Sequence, residues 1–326
     1  MELTGASPQD LARSGSLEEL YARLATVDMG PGWAKATPSL YPAPKKVFPP
    51  AIWHYAQAKS ALDAAGRLIN TELAERRNLI LTNVKGGSTY GTCATLVSAY
   101  QMIMPGEHAR SHRHSPNALR LVVDAAPGTY TIVDNVRLDM MPGDVVLTPN
   151  WCWHGHGNDG KSNGYWIDFL DVPLVHLLEP MFFEPNPDEF AEGARPAEPS
   201  AMHFPWAQTK ERLAAAKPEP SGRYGTQIEL GSPAPALNTV ALYMMKLAGG
   251  EATKPGRSTA NMIYSPVEGE GETVVDGKSF PWRRGDVLVV PSWQTHFHRA
   301  SSDAVLFRVT DEPVMSKLGF LRDERQ

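Results

Sequence analysis

Two stretches of this chain are versions of one another. PGDVVLTPNWCWHGH at 142–156 aligns with RGDVLVVPSWQTHFH at 284–298, matching at Gly-Asp-Val, Pro, Trp and two alternate histidines. A repeat of this kind implies two copies of one supersecondary unit that stack to bury a shared core. The residues around it define the unit. From about 78 to 170, short runs rich in Val, Ile, Leu, Thr and Tyr (NLILTNV, LVSAYQMIM, LRLVVDA, TYTIVD, DVVLTP, YWIDFLDV) alternate with turn signals such as Pro105-Gly106 and Pro142-Gly143-Asp144. The same texture returns from 238 to 310 in TVALYMMKLA, NMIYSPVEG, ETVVDGKSF, DVLVVPSW and AVLFRVTD. Closely spaced short strands point to an all-β sandwich or small barrel, here present twice.

The remaining segments are of another kind. Residues 8–26 have helical spacing at Leu11, Leu17, Leu20 and Leu24. Residues 29–53 are Pro-rich and read as an extended arm, not a packed element, with a helix expected near 54–75. Residues 183–236 are again Pro-rich, with one helical piece at 206–217. The expected division is therefore an arm over 1–77, a first barrel over 78–182, a connector over 183–237 and a second barrel over 238–326.

Composition removes several function classes. The net charge is −5 and the basic residues form no run or stripe, so neither nucleic acid nor a membrane surface is an expected partner. No apolar stretch is long enough to span a bilayer. MELTGASPQDLARSGS has neither the basic nor the apolar region of a secretory signal. Cys93 and Cys152 are too few for a disulfide framework, which suits a reducing cytoplasm.

The chemistry concentrates in GEHARSHRHSPNALR at 106–120. On a strand, residues two apart share a face at a separation of about 6–7 Å, so His112 and His114 can converge on one ion. His154 follows about forty residues later, after a Pro-Gly-Asp turn, and a barrel brings such strands together. Three imidazoles with open positions would form a catalytic type of metal site, since structural sites close their shell. His108 lies four residues before His112 and reads as a solvated loop residue. Imidazole suits Zn, Cu, Fe and Ni alike, and sequence spacing leaves zinc and iron both open. Arg120, six residues after His114, shares its face if the strand resumes in phase, where a guanidinium could take a carboxylate bidentately. His156 shares the face of His154 and could trade protons with a phenol or bound oxygen; Asp168, in YWIDF, could orient it. Gln101 could hydrogen-bond substrate oxygens. Trp151 and Trp153 fall on the opposite face from the histidines and read as core packing.

These stretches resemble a known family. G-x5-H-x-H and P-G-D-x4-P-x4-H-x3-N resemble the two motifs of the cupin superfamily. More narrowly, ELAERRNLILTNV, YQMIMPGEHARSHRHSPNALRLVV, MPGDVVLTPNWCWHGHGN, YWIDFLDVPLV and DAVLFRVTDEPVMSKLGF are similar to the gentisate 1,2-dioxygenase family, which includes salicylate and 1-hydroxy-2-naphthoate dioxygenases. The resemblance implies a bicupin: two double-stranded β-helix (jelly-roll) barrels with a helical N-terminal arm and a connector. The general cupin motif has a glutamate ligand where this chain has Ala118, and three histidines without a carboxylate are this family's pattern. It thus implies Fe(II) held by His112, His114 and His154, with Gln101, Arg120, His156 and Asp168 matching substrate and proton-handling positions and Arg76 and Arg77 matching a further family feature. It implies C1–C2 ring opening of a 2-hydroxybenzoate by dioxygen, in a homotetramer. In the second copy, KPGRSTANMIY stands where a His-x-His would, leaving only His296 and His298, so that barrel is expected to be metal-free. The alternative readings are a cupin that binds a metal and small aromatic acids without turnover, and a metal-dependent isomerase or hydrolase.

Overall fold

The computed structural model describes residues 5–34, 39–74, 76–190, 192–196, 199–231 and 236–325. Met1–Lys45 forms one compact unit and Lys46–Gln326 another. The first contains the helices Pro8–Ala12, begun by a Ser7–Asp10 capping box, and Leu17–Ala25, whose N-cap Ser16 accepts from the Glu19 N–H.

The second unit is two β lobes, each a six-stranded and a five-stranded antiparallel sheet. In the first lobe the larger sheet runs His203–Phe204, Val145–Thr148, Ala118–Asp124, Gly164–Leu170, Val97–Ile103, Arg77–Ile80. Its smaller sheet runs Phe183–Pro185, His108–His114, His154–Asn158, Thr129–Val133, Val136–Asp139. The second lobe repeats this arrangement with Ala51–Trp53, Val287–Val290, Met262–Glu268, Ala304–Thr310, Ala241–Leu247 and Thr226–Glu229 in its larger sheet.

Strand alternation explains why these segments read as almost continuously apolar. Leu119 and Leu121, Tyr100 and Met102, and Ile167 and Phe169 belong to one large cluster together with Leu242, Met244, Ile263, Phe307 and Val309 of the second lobe. Residues on the opposite face of the same strands, Val122, Ile103 and Trp166, belong to a separate cluster inside the first lobe. Each six-stranded sheet is thus buried on both faces, one against the other lobe and one against its own interior. Phe169 and Phe307 meet edge-on across the lobe boundary, with centroids 5.7 Å apart.

The repeated Gly-Asp has a specific job. Asp144 Oδ1 accepts from the Trp206 N–H (2.7 Å), the first residue of helix Trp206–Ala215, and Asp286 Oδ1 accepts from the Tyr55 N–H (2.9 Å), the first of helix Tyr55–Leu68. Neither helix has a capping side chain at its own N-cap, so a carboxylate from the sheet satisfies the start of each. Gly143 (φ 88°) and Gly285 (φ 82°) precede these aspartates, and a Cβ there would strike Trp206 and Tyr55 respectively.

Three segments differ from the sequence expectation. The helix expected near 54–75 ends at Leu68, because Ile69 turns extended (φ −131°, ψ 143°), and a short helix Thr71–Ala74 follows. The Pro-rich 29–53 region ends in a packed element: Ala51–Trp53 pairs with Val287–Val290. Residues 183–237 do more than connect, since Phe183–Pro185 and His203–Phe204 both form edge strands of the first lobe, and Pro185 is tolerated because it sits at the edge. No helix among the described residues is long and apolar enough to cross a membrane.

Phe307→Ala would leave a cavity between two well-packed sheets. It is expected to lower unfolding stability by about 3–5 kcal/mol, read by urea denaturation. A change under about 1 kcal/mol would mean that the lobes do not share this core.

Candidate active site and metal centre

His112 and His154 are direct cross-strand partners, and His114 lies two residues further along the same strand. One nitrogen from each of His112, His114 and His154 lies within 4.8 Å of the other two. Backbone carbonyls fix which nitrogen faces the centre. His112 Nδ1 is 3.3 Å from Arg110 O, His114 Nδ1 is 2.9 Å from Pro116 O, and His154 Nδ1 is 3.0 Å from Cys152 O. A carbonyl can only accept, so each Nδ1 carries the hydrogen and each Nε2 presents a lone pair. Burial keeps the rings neutral: desolvation, then the Arg76 charge, brings His112 down to about 3, and burial also depresses His114 and, more strongly, His154. Three neutral imidazoles, each locked in the ligating tautomer, are a donor set that fits a divalent transition metal.

Beside them runs a chain of charged and polar side chains on the inner face of the six-stranded sheet. Arg76 Nε donates to Gln101 Oε1 (2.5 Å), and Gln101 Nε2 donates to Asp168 Oδ2 (2.5 Å). Arg120 Nε donates to Asp168 Oδ1 (3.3 Å), and its Nη1 reaches Thr131 (3.2 Å) and Thr148 (3.0 Å). Arg120 and Asp168 are cross-strand partners, 1% and 3% exposed. The Arg120 and Arg76 guanidinium groups both act electrostatically on the imidazoles beside them. His156 is depressed first by its burial, then by Arg120 and Arg76.

The structure brings together eight of the residues singled out in the sequence: His112, His114, His154, His156, Arg120, Gln101, Asp168 and, at the end of the chain, Arg76. Arg77 is not among them. Its guanidinium is taken by Glu107, itself fastened to the Met104 N–H, and by the Ile69 carbonyl (2.6 Å). Adjacent residues on a strand face opposite ways, which separates Arg77 from Arg76. His156 stands apart from the triad: its ring is 6.2 Å from that of His154 and 5.3 Å from Trp166. Asp168 does not orient it, because both carboxylate oxygens are spent on Gln101 and Arg120. Among the described residues, neither nitrogen of His156 has a hydrogen-bond partner. His108 opens the strand instead of preceding it; it is exposed and pairs with Asp159 (3.1 Å). Trp151 and Trp153 are not core. The Arg113 guanidinium lies over both rings (4.5 and 4.4 Å), and Trp151 is exposed with φ 63°. Phe183, 5.2 Å from the His112 ring, was invisible as a site residue because only strand pairing beyond the barrel sequence places it there.

The second lobe carries different residues at the equivalent positions. Gly256 faces His296 as His112 faces His154, and Ser258 follows it as His114 follows His112. A Cβ on Gly256 would meet the Arg223 guanidinium, so a cation already fills the space in front of it. His296 keeps its Nδ1 near a carbonyl, that of Gln294 (3.4 Å), yet its Nε2 is taken by the Tyr264 hydroxyl (3.0 Å).

Comparison with known proteins agrees with this geometry. Residues 99–170 match the Cupin domain family. The whole chain is similar to gentisate 1,2-dioxygenase 1 of Aquipseudomonas alcaligenes, 36% identical across 94% of this chain and 96% of the relative, and to 5-aminosalicylate 1,2-dioxygenase of a Comamonas species, 34% identical across 94% and 90%. The crystal structure of salicylate 1,2-dioxygenase from Pseudoaminobacter salicylatoxidans, as an adduct with gentisate, superposes with a TM-score of 0.87 at 27% identity over 96% of this chain and 95% of that one. Fold and site define a bicupin with a three-histidine centre. The chain belongs to the gentisate and salicylate 1,2-dioxygenase family of ring-cleaving dioxygenases.

Replacing His112, His114 or His154 by Ala should abolish stoichiometric metal uptake, measured by elemental analysis, while circular dichroism stays that of the folded protein. His108→Ala should keep its metal. Full metal retention in any of the first three would overturn the ligand set.

Proposed function

We propose that this protein opens a 2-hydroxybenzoate, gentisate or a substituted salicylate, between C1 and C2 with dioxygen, and that His112, His114 and His154 hold the Fe(II) this requires. The observation carrying the proposal is the hydrogen-bonded chain Arg76–Gln101–Asp168–Arg120 beside three neutral, tautomer-locked imidazoles. Ferrous iron bound there would supply the chelating positions and the redox chemistry that connects an electron-rich ring to dioxygen.

The remaining work falls to the chain. Neutral ligands cannot compensate a dication, so an anionic substrate is favoured. Arg120 would secure its carboxylate, helped by Arg76 and Gln101. Asp168 fixes the Arg120 and Gln101 side chains in place before substrate arrives, which lowers the cost of ordering them on binding. His156, neutral and without a competing partner among the described residues, would accept the proton of the ring hydroxyl and return it during ring opening. Trp166 packs beside His156, and Phe183 beside His112. A metal-free second lobe, a homotetrameric assembly and residence in the cytoplasm, where Cys93 and Cys152 remain free thiols, belong to the same reading.

Oxygen uptake with a panel of gentisate and 5-amino-, 5-nitro-, 5-halo- and unsubstituted salicylates tests the reaction. Consumption equimolar with a ring-opened product is expected for at least one member. Tight binding of these acids without oxygen uptake by the iron-loaded protein would instead make it a non-catalytic binder. Within the active enzyme, His156→Ala should retain metal and substrate affinity and lose kcat by about 10²–10⁴-fold. Arg120→Ala should weaken substrate binding as well as turnover. An Arg120→Ala protein with unchanged substrate affinity would remove the guanidinium from the carboxylate site.

A further inference from the structure

The turn that follows His114 is held from outside its own lobe. His114 Nδ1 donates to the Pro116 carbonyl, and the N–H of that same peptide unit, belonging to Asn117, donates to Asp171 Oδ1 (2.8 Å). One peptide plane therefore carries the imidazole on one side and a buried carboxylate on the other. Asn117 Nδ2 donates to Asp171 Oδ2 (3.1 Å) and to Thr239 Oγ1 (2.9 Å), and the Thr239 hydroxyl donates to Asp171 Oδ2 (2.5 Å). The approach to His154 is fastened to the same turn. Asn117 Oδ1 accepts from the Asn150 N–H (2.8 Å), and the Trp151 N–H donates to the His114 carbonyl (3.0 Å). Thr239 comes from the second lobe, just before its strand Ala241–Leu247.

The second lobe repeats this clasp with the lobes exchanged. The Asn261 N–H donates to Asp311 Oδ1 (2.8 Å), Asn261 Nδ2 to Asp311 Oδ2 (2.8 Å) and to Thr95 Oγ1 (3.1 Å), and the Thr95 hydroxyl to Asp311 Oδ2 (2.5 Å). The Ser292 N–H donates to Asn261 Oδ1 (3.1 Å). Thr95 is a first-lobe residue. In this copy, Ser258 stands in place of His114, so no imidazole hangs on the turn. The clasp is thus a joint of the fold in both lobes, and only one of the two joints touches a metal-ligating histidine.

We propose that Thr239 of the second lobe is a positioning residue for the metal centre, acting through Asp171 and the Pro116–Asn117 peptide on His114. The inference rests on His112, His114 and His154 being the metal ligands. Its physical basis is that the group accepting from a ligand's far nitrogen sets the ring's orientation and basicity. Here that group is a peptide carbonyl whose own N–H is bonded to a carboxylate, and such chains polarise one another. Thr239 orients that carboxylate. The second lobe then does more than complete the shared core: it supplies one side chain to the support of the catalytic centre.

The two joints provide their own control. Thr239→Val and Thr95→Val each delete one hydroxyl from equivalent clasps, so any general loosening of the lobe boundary should be common to both. Each variant would be loaded with Co(II), and metal release to excess chelator followed by absorbance at a temperature well below both melting transitions. Thr239→Val, and Thr239→Ala as a second variant, should release metal about tenfold faster than the unaltered protein. Thr239→Ser should restore the slow rate, and Thr95→Val should release at the unaltered rate. Equal release from Thr239→Val and Thr95→Val, or an unaltered rate in both Thr239 variants, would overturn the proposal. Failure of the unaltered protein to take up one Co(II) per chain would instead remove the ligand assignment on which it stands.

Discussion

Burial of both faces of each six-stranded sheet governs this molecule. One face is consumed by contact between lobes, so the other must make the interior of its own lobe, and on the central strands the side chains of that face are buried. A polar group placed there has to find its partners within the protein. That is why Arg120 and Asp168 sit opposite one another, and why Gln101 and Arg76 extend the chain. Such a buried pair is a poor source of stability, since desolvation offsets most of the Coulomb gain. Its value is a guanidinium already fixed in orientation beside the imidazoles. The second lobe meets the same constraint with different residues: Tyr264 occupies the place of Arg120, and Arg308 the place of Asp168. The Arg308 guanidinium is held between the rings of Tyr224 and Tyr243 (3.9 and 4.1 Å).

Control of the histidine tautomer follows from the turns at the strand ends. Each triad ring bonds through Nδ1 to a backbone carbonyl two residues away, a local arrangement that the loop geometry dictates and that leaves Nε2 for the centre. His296 shows that this arrangement alone is insufficient. It has the same kind of carbonyl partner and is likewise brought down to about 3 by burial and Arg223. With a tyrosine hydroxyl on Nε2 and a guanidinium where a second ligand would stand, it offers no open donor to an ion. The difference between a metal centre and a packed interior is therefore a handful of substitutions on one shared framework.

Much of this was legible in the sequence. Strand periodicity with turn punctuation, the internal repeat and His-x-His spacing together determine two β lobes, a triad at 112, 114 and 154, and an inward Arg120, because side-chain direction along a strand is fixed by its period of two. Face-sharing and residue type suggested His156, Gln101 and Asp168, which the family motifs matched, and the resemblance added Arg76 and Arg77. What failed did so for identifiable reasons. Arg76 and Arg77 are adjacent in sequence, yet the chain enters a strand between helix and sheet, and only the pairing register decides which of them faces the interior. Asp168 was assigned to His156 by type alone, whereas cross-strand register gives it to Arg120.

The element types, the duplication and the clustering of His112, His114 and His154 follow from local periodicity and residue chemistry. How those pieces meet across long separations is set by the packing of the two lobes. Phe183 reaches His112 because a segment after the first lobe returns as an edge strand. Asp144 and Asp286 cap helices far from them in the chain. Thr239 fastens the turn beside His114 from the other lobe, through a contact of 68 residues' separation to Asp171. Such contacts arise from packing two sheets face to face, and no local pattern records which distant residue will stand opposite.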